Sequence, residues 1–347
     1  MNVMIGSASR GGMRSVVDAY EREGFLEAQN IRVIYSYREG SFGMRQIVLL
    51  RALLIYIWCL LTNRISLVHC HTAMWGSFWR KGLFASIARL FGIPVVLHLH
   101  GSEMKLFWAA QMPWVQRLVR RRLEKASHVI VLSRSWKAFI ANIAPRANIT
   151  VVPNYVSTQL SAHRGEPSDG TILFLGLIGP RKGAFDLIRA FAAVRNQYPQ
   201  ARLLLGGNGQ LAEAAALAAA LHIADSVILL GWTDGHAKEA LLRSAPIYVL
   251  PSHNEGLPMS VLEAMAAGAA VVTTRVGGLP ELITDGKNGI LIEPGDVDGL
   301  AAALLMLLND AAMRARLADA GRRHVESHYS DSIVLPLLHH IYEKFQR

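Results

Sequence analysis

Short apolar runs alternate with glycine-containing turns and longer helical segments along the whole chain. The runs that we predict to be strands are residues 2–5, 31–35, 67–70, 95–99, 129–132, 149–152, 171–175, 201–205, 227–230, 247–250 and 269–273. Continuous apolar runs that alternate with helices are typical of parallel strands buried on both faces. The pattern therefore predicts an α/β fold class with two successive Rossmann-like series of strands and helices.

The clearest change in composition separates these two series. Residues 157–170, STQLSAHRGEPSDG, are polar and contain proline and glycine, which is typical of a linker. The length of 347 residues is sufficient for two domains of ordinary size. We predict an N-terminal domain at 1–156, a linker at 157–170, a C-terminal domain at 171–329 and a terminal helix at 330–347.

Charge is unevenly distributed between the two halves. Residues 1–160 contain 20 lysines and arginines and 7 acidic residues, for a net charge of +13, whereas residues 161–347 carry −3. A basic half favours an anionic partner, and the charge alone leaves open a membrane surface, a nucleic acid or a phosphorylated substrate. Two cysteines, Cys59 and Cys70, are too few for a disulfide framework. Because no secretory signal is predicted either, we expect a reducing compartment.

Two segments of the basic half favour a membrane surface. Residues 47–61 are apolar except for Arg51, but 15 residues are fewer than the roughly 20 that a transmembrane helix needs, so we predict a buried or interfacial helix. Residues 104–125 combine Trp108 and Trp114 with a cationic run, which fits the interface of an anionic membrane. An amphipathic surface helix with its aromatic residues in the core is the alternative. No aromatic and basic platform repeats along the strands, so nucleic acid is not predicted as a partner.

Candidate chemistry in the first half lies in turns after predicted strands. Gly11 and Gly12 follow the first strand and allow a ligand to approach the backbone, although a tight turn explains them equally well. No GxGxxG motif occurs there, which argues against dinucleotide binding. His71 and His100 follow the third and fourth strands, where parallel sheets bind ligands, but structural histidines are also common. A zinc site is not predicted, because cysteine or carboxylate partners at ligand spacing are lacking.

The segment 251–268, PSHNEGLPMSVLEAMAAG, organises the second half. It joins two apolar strands through a turn and a helix that is predicted to start near Pro258. Glu255 and Glu263 are eight residues apart, or roughly 12 Å along a helix axis, and both can face one ligand. Free N–H groups at the helix start favour an anion. A nucleotide-sugar suits this arrangement, but so does a ligand-free loop with one glutamate near the helix dipole and one in solvent.

Charged residues outside this segment each have two interpretations. Arg181 and Lys182 lie between glycines at a strand-to-helix turn, and they fit either a diphosphate clamp or a solvated basic turn. Asp296 and Asp298 have the spacing of a metal-binding motif. They also precede an apolar helix, and we predict that this aspartate sequence caps the helix instead of binding a metal.

Several motifs of the second half occur in a fixed order: FLGLIGPRKG, GGNGQ, GW, PSHNEGLPMSVLEAMAAGAAVVTTRVGGLPELI and DGKNGILIEPGD. Together with Gly11–Gly12, VHCH and HLHG in the first half, they resemble glycosyltransferase family 4, the retaining GT-B transferases. The block around Glu255 and Glu263 matches the E-x7-E motif of that family and is the most specific part. The resemblance implies the GT-B fold, in which two Rossmann-like domains with parallel sheets face each other across a cleft. The C-terminal helix of that fold crosses back to the first domain.

The resemblance also implies roles for individual residues. Glu255 would contact the hydroxyls of the donor sugar and Glu263 those of the ribose, while His100 would face the sugar from the first domain. Arg181 or Lys182 would neutralise the diphosphate, together with the amides around Leu257. The other donor-side residues would be Gly256, Pro258, Gly176, Gly207, Trp232 and Glu281, and Gly11, Gly12 and His71 would lie on the phosphate and acceptor side. Many members carry arginine where this chain has Leu177, and our hypothesis is that Arg181 replaces that charge.

The activity implied by the resemblance is retaining transfer of a sugar, of hexosyl type, from a nucleoside-diphosphate sugar to a glycan acceptor. The leaving diphosphate would help to deprotonate the acceptor, and no metal or other cofactor is expected. The basic half and its two apolar segments lead us to expect a lipid-linked acceptor, a role in exopolysaccharide, capsule or lipopolysaccharide assembly, and a cytoplasmic location at the inner face of an anionic membrane. Alternatives are a nucleotide-sugar epimerase or a phosphorylase on the same fold, or a basic membrane-binding module without catalysis. The sequence leaves the donor sugar, its base and the linkage open.

Overall fold

A computed structural model describes residues 1–62, 64–157 and 169–345 of the chain. The chain divides into two compact units, one formed by Met1–Asn154 with the segment from Ser332 onward, and one formed by Tyr155–Asp331. Each unit contains a six-stranded sheet whose strand pairs are all parallel. The predicted α/β fold class is therefore confirmed. Most of the predicted linker, residues 158–168, lies outside the described residues.

The first unit alternates strands and helices from its first residues. Its strands are β1 (Asn2–Gly6), β2 (Ile31–Tyr35), β3 (Leu67–Thr72), β4 (Val95–Leu99), β5 (His128–Val131) and β6 (Ile149–Val151). Its helices are α1 (Gly12–Arg22), α2 (Phe25–Ala28), α3 (Phe42–Thr62), α4 (Gly76–Leu90), α5 (Met104–Ala109), α6 (Pro113–Glu124), α7 (Arg134–Ile143) and α15 (Asp331–Glu343). The strands lie in the order β2-β1-β3-β4-β5-β6.

Helices cover both faces of the first sheet. On one face, the apolar side chains of the strands pack against α3, α4, α6 and α7 in one core, where the rings of Tyr56 and Phe84 lie 5.2 Å apart. Because successive residues of a strand point to opposite faces, His69 and its alternate neighbours point the other way. The Tyr342 hydroxyl of α15 lies 2.7 Å from Nδ1 of His69 on that face. The terminal helix thus packs on the first sheet, as the resemblance implies.

Helix α3 differs from its prediction. It has 21 residues and begins at Phe42, about one and a half turns before the apolar run. The predicted length of 15 residues is therefore too short, while the interpretation as a buried or interfacial helix stays a prediction. Ala52, Tyr56 and Cys59 on one face are buried. The opposite face exposes a stripe of large apolar side chains: Ile47, Leu50, Leu54, Ile57, Trp58 and Leu61. Among the helices of the described residues, α3 alone is long and apolar enough to cross a membrane, by length and composition only.

The segment 104–125 forms two helices, not one. Helix α5 ends at Ala109, and Pro113 occupies the first position of α6. Phe107 is fully buried, whereas Trp114 is 60% exposed. Helix α6 buries its apolar stripe, including Val119, and leaves Arg117 and Arg121 in solvent. One aromatic residue of this segment therefore lies in the core, as the amphipathic interpretation predicts, and another lies exposed beside cations, where contact with a membrane stays a prediction.

The second unit repeats the same alternation. Its strands are β7 (Thr171–Leu175), β8 (Arg202–Gly206), β9 (Val227–Gly231), β10 (Ile247–Leu250), β11 (Ala270–Thr274) and β12 (Ile290–Ile292), in the sheet order β12-β11-β10-β7-β8-β9. Its helices are α8 (Ala184–Gln197), α9 (Leu211–Ala220), α10 (Gly235–Ser244), α11 (Met259–Ala266), α12 (Leu279–Leu282), α13 (Val297–Asn309) and α14 (Ala311–His328). The sequence patterns did not predict β12 or α14.

Candidate active site

The segment between β10 and α11 is fixed by backbone contacts from two neighbouring turns. Gly183 has φ +71°, and a Cβ atom there would lie 1.9 Å from the Pro251 carbonyl oxygen. Gly277 has φ +58°, and a Cβ atom there would lie 2.0 Å from the Glu255 carbonyl oxygen. Only glycine fits at either position, since a side chain would collide with rigid backbone. The Gly278 amide also donates to the Gly256 carbonyl at 2.7 Å, so the loop is held in one conformation.

Glu255 is a buried carboxylate, only 4% exposed. Its Oε1 atom accepts hydrogen bonds from Lys182 Nζ at 2.5 Å and from Ser252 Oγ at 2.7 Å. A carboxylate at this depth requires such partners, because an unpaired buried charge is costly. Lys182 therefore supplies the ion-pair partner of the buried Glu255 carboxylate. The sequence had placed both residues on the donor side, and the structure brings them into direct contact.

Glu263 is also buried, on α11, and also has a lysine partner. Lys238 Nζ lies 2.7 Å from Oε1 and 2.5 Å from Oε2 of Glu263. Lys238 lies on α10 and had no motif to identify it, because its contact depends on how α10 packs beside α11. Each glutamate of the E-x7-E motif is therefore a buried carboxylate in an ion pair with a lysine.

The other donor-side residues predicted in the second unit lie in turns after strands. The amide of Gly176 donates to the Gly206 carbonyl at 2.9 Å, and that of Gly207 donates to the Gly231 carbonyl at 2.6 Å, so these three turns are adjacent. Trp232 follows at once and donates from Nε1 to Asp234 at 2.8 Å. Leu257 and Pro258 are buried just before α11, and Pro258 is its N-cap residue, whereas Glu281 on α12 is exposed.

Arg181 differs from its neighbour Lys182 in its surroundings. Its side chain is exposed, and its carbonyl accepts a hydrogen bond from the His253 amide at 2.9 Å. Leu177, which stands where many family members have arginine, is 51% exposed. Lys182 is thus a structural ion-pair partner, while Arg181 points into solvent. Asp296 accepts from the Gly299 amide at 2.8 Å, which confirms the prediction that it caps α13.

Four histidines form a stacked row: His69 and His71 lie on β3, His98 lies on β4, and His100 directly follows β4. His71 Nδ1 lies 2.8 Å from His100 Nε2, and their rings are stacked at 4.9 Å. His69 lies 2.7 Å from the Tyr342 hydroxyl and 3.3 Å from His98. Burial lowers the pKa of His69 and of His100 to about 3, and it lowers the pKa of His71 and His98 well below the usual value. The row is therefore neutral at physiological pH.

The histidine row also brings together more possible metal ligands than the sequence suggested. Nitrogens of His69, His71 and His98 all lie within 4.8 Å of one another. Both nitrogens of His69 already contact protein groups, so the buried nitrogens without a hydrogen-bond partner in this row are Nε2 of His71 and Nε2 of His98. Two nitrogens without a carboxylate or thiolate do not make the three-ligand or four-ligand set that zinc requires. The row fits a hydrogen-bonded structural cluster better than a metal site.

Gly11 and Gly12 lie at the start of α1, in the lining of a pocket of about 510 Å³ within the first unit. The pocket opens at the carboxyl ends of β1 and β3, and it is also lined by the first turns of α3 and α4. His71 and His100 do not line it. The residues predicted for the phosphate and acceptor side thus fall into two places in this unit, the histidine row and the glycine-lined pocket.

Two family models together match most of the chain. Residues 156–324 match the model described as glycosyl transferases group 1, and residues 8–160 match the model described as glycosyltransferase family 4. The glycogen synthase of Mycobacterium tuberculosis is 29% identical over 258 residues, which is 70% of this chain and 61% of that protein. The match thus spans less than two thirds of that relative's length.

Other relatives are somewhat more similar. A D-inositol 3-phosphate glycosyltransferase of Stackebrandtia nassauensis is 32% identical over 77% of this chain and 66% of its own. A phosphatidyl-myo-inositol mannosyltransferase of Mycobacterium leprae is 30% identical over 72% of this chain and 67% of its own. The solved sucrose-phosphate synthase from Thermosynechococcus elongatus has a TM-score of 0.79 at 19% identity, with 99% of each chain covered. HepE from Anabaena, solved with UDP and glucose, has a TM-score of 0.77 at 18% identity, with 98% of each chain covered. The likeness to these structures shows a shared fold, and it is the GT-B fold that the resemblance implied.

Proposed function

The chain belongs to the glycosyl transferases of group 1 and family 4, and on that premise we propose that it moves a sugar from a nucleoside-diphosphate sugar to an acceptor hydroxyl. The observation that carries the proposal is the pair of buried glutamates, Glu255 and Glu263, each held by a lysine in the unit that matches the group 1 model. A buried charged carboxylate can accept strong hydrogen bonds from ligand hydroxyls. Two of them suit a ligand with hydroxyls at both ends.

The donor-binding roles that we propose are those that the family resemblance implies. Glu255 contacts the sugar hydroxyls, and Glu263 contacts the ribose hydroxyls. The amides around Leu257 and the start of α11 bind the diphosphate, since a helix start favours anions. Arg181, exposed and beside the Lys182 pair, supplies the cation that Leu177 lacks. The solved structures of Anabaena HepE contain UDP with glucose or UDP-glucose, and they support a nucleotide-sugar as the donor.

The proposed reaction is hexosyl transfer with retention at the anomeric carbon. The bond from that carbon to the diphosphate breaks, the bond to the acceptor oxygen forms on the same face, and the diphosphate takes the acceptor proton. Stabilisation of the leaving group then comes from amides and cations, not from a metal. His100, neutral and held by His71, is suited to a hydrogen bond with a sugar hydroxyl but not to work as a cation.

The proposed acceptor is a lipid-linked glycan at the inner face of an anionic membrane, in exopolysaccharide, capsule or lipopolysaccharide assembly. Support comes from the +13 charge of residues 1–160, the exposed apolar stripe of α3 and the exposed Trp114 beside Arg117 and Arg121. Juxtaposed apolar and cationic side chains bind anionic lipid surfaces. Flotation with anionic vesicles should recover the chain, and Arg117→Gln with Arg121→Gln should reduce recovery. Equal recovery with uncharged vesicles would contradict the proposed electrostatic contribution to membrane binding.

A donor screen tests the enzymatic proposal. One nucleotide-sugar of a common panel should bind the wild type, and Glu263→Gln should weaken that binding by roughly tenfold or more, as expected for a charge-assisted hydrogen bond. Asp298→Asn is the control, because Asp298 is exposed and lies in the apparent metal motif. Donor turnover should persist in excess chelator. Strict metal dependence would overturn the metal-free mechanism, and donor consumption without acceptor would favour an epimerase.

A further inference from the structure

Trp75 has a backbone conformation that tryptophan rarely adopts. It is the N-cap residue of α4, with φ +55° and ψ −131°. The Ser77 amide donates to the Met74 carbonyl at 3.2 Å, which closes a turn over residues 74–77. The angles of Trp75, the second residue of this turn, are those of a type II′ turn, in which glycine is preferred at that position. Tryptophan therefore stands where the backbone favours glycine.

The side chain makes this conformation more unusual than the other cases in the chain. Among the described residues, the other non-glycine residues with positive φ are Asn30 and His222. Asparagine and histidine tolerate this region comparatively well, whereas a bulky residue there is a genuine outlier. Such strain persists only where the surrounding structure enforces it, and strained residues cluster at ligand sites. The strain at Trp75 therefore points to a function of its indole.

The Trp75 indole is 45% exposed, yet it is held in one orientation. Its Nε1 atom donates to Oε2 of Glu103 at 3.1 Å. The buried ring of Phe107 packs against it at 82°, with the ring centroids 5.4 Å apart. An aromatic ring that is already fixed loses little conformational freedom when a ligand covers it. Neither Trp75 nor Glu103 lines the glycine-lined pocket, so the exposed indole is a separate surface.

Backbone contacts hold the loops after β3 and β4 against each other. The His100 amide, directly after β4, donates to the Thr72 carbonyl at the end of β3, at 2.9 Å. Gly101 permits this close approach, since a Cβ atom there would lie 3.0 Å from the Met74 amide nitrogen. The indole and the carboxylate on these two loops are therefore preorganised. They lie beyond the carboxyl ends of the strands, where parallel sheets bind ligands.

An aromatic face beside a carboxylate suits a neutral sugar ring. The C–H groups on one face of a pyranose are partly positive because each carbon bears oxygen, and the negative face of an indole attracts them. A carboxylate accepts charge-assisted hydrogen bonds from sugar hydroxyls. The charge of Glu103 disfavours a phosphate or an anionic lipid at this place. The net charge of +13 on residues 1–160 disfavours a cation.

We propose that Trp75 and Glu103 form a carbohydrate-binding site, in which a neutral pyranose ring of the acceptor stacks on the indole and donates hydroxyl hydrogen bonds to the carboxylate. The identification of this sugar as the acceptor rests on the proposed glycosyl transfer. The site itself consists of groups of the first unit only. Donor binding, which we assign to the second unit, is therefore an independent measurement on the same preparations.

Saturation-transfer difference NMR with neutral methyl glycosides and disaccharides of the common hexoses tests the site. At least one probe should bind the wild-type chain, with saturation strongest on the protons of one ring face. Trp75→Ala should weaken this binding by about tenfold, the effect of one lost stacking contact. Trp75→Tyr should retain most of it, because an aromatic face remains. Trp114→Ala is the matched control, since Trp114 is another exposed tryptophan of the same unit.

Two further measurements separate the carboxylate from the backbone strain. Glu103→Gln should weaken probe binding roughly fivefold, because a neutral amide replaces a charged acceptor. In urea denaturation, Trp75→Gly should unfold at a higher urea concentration than Trp75→Ala, since only glycine adopts this φ without strain. Both of these Trp75 variants lack the indole and should lose the probe equally. A lower midpoint for Trp75→Gly would overturn the strain from which the site is inferred.

The remaining outcomes decide between the possible ligands. Equal probe affinity of Trp75→Ala and Trp114→Ala, or no binding of any probe to the wild type, would overturn the carbohydrate site. Trp75-dependent binding of tetramethylammonium in place of sugars would overturn it in favour of a cation site. Nucleotide-sugar binding without Trp75-dependent sugar binding would refute this inference alone. Trp75-dependent sugar binding without binding of any nucleotide-sugar would support the site and refute the proposed transfer.

Discussion

Replacement of Lys182 by methionine should destabilise the loop around Glu255 without removing packing volume. The Lys182 side chain is 16% exposed and that of Glu255 is 6% exposed, and their 2.5 Å contact is the only ion pair of Glu255 among the described residues. The methionine side chain retains the apolar stem but leaves the carboxylate unpaired. Ser252 still donates one hydrogen bond to it.

The expected magnitude follows from this geometry. Removal of one partner of a buried ion pair costs about 3–5 kcal/mol. Because Lys182 retains some solvent contact and Ser252 remains, we expect the lower end, about 3 kcal/mol. A free energy of that size corresponds to roughly a hundredfold increase in the population of opened molecules.

Hydrogen exchange followed by mass spectrometry measures this locally. Peptides that cover β10 and α11 should exchange about a hundredfold faster in Lys182→Met, while peptides of the first unit should be unchanged. Arg181→Met is the matched control, since Arg181 is the exposed neighbour, and it should shift exchange by less than about 0.5 kcal/mol. Lys182→Met combined with Glu255→Met should recover much of the protection, because no buried charge remains. Exchange rates in Lys182→Met equal to those of the wild type would refute the reasoning that Lys182 offsets the cost of burying the Glu255 carboxylate.

Three further predictions concern stability. Gly277→Ala should cost at least about 2 kcal/mol by urea denaturation, because positive φ and backbone overlap add; an unchanged midpoint would contradict the tight loop contact. Asp296→Ala should cost about 1 kcal/mol through loss of the α13 cap, and Asp298→Ala much less. The pKa values of His69 and His100 are about 3 in the fold and near 6.5 when unfolded, so the unfolded chain binds more protons below pH 6.5. Stability should therefore fall as the pH drops from about 6.5 towards 3, by up to roughly 1.4 kcal/mol per pH unit for each histidine, and a flat profile would contradict neutral burial.

Strands were the most predictable part of the fold. Their apolar runs are continuous, and those at β2, β4, β7 and β10 have the observed bounds. Helix ends were less predictable where the first turns of a helix contain polar residues. The first turns of α3 carry Gly43, Arg45 and Gln46, which interrupt the apolar pattern, and two of these residues line the pocket. The pattern therefore began only at Ile47.

The side-chain ion pairs of the site depend on tertiary packing, so the spacing of residues along the sequence could not predict them. Lys238 and Glu263 are on different helices, and the segment around Lys238 has no motif. The cations of the pocket are scattered from Arg10 to Lys81 and individually have the appearance of surface charges. Motif order located the turns around Glu255, because backbone contacts such as that of Gly277 impose a residue type. Side-chain charges carry no such local requirement.

Transfer of a radiolabelled sugar into a lipid-extractable product tests the central claim most directly. The chain is supplied with a membrane lipid fraction and with the radiolabelled form of the nucleotide-sugar that the donor screen identifies. Label should enter the lipid-extractable product, and an equal molar amount of nucleoside diphosphate should be released. Glu255→Gln should abolish incorporation, whereas Asp298→Asn should retain it. The absence of both label transfer and nucleoside diphosphate release with every common nucleotide-sugar would contradict the account.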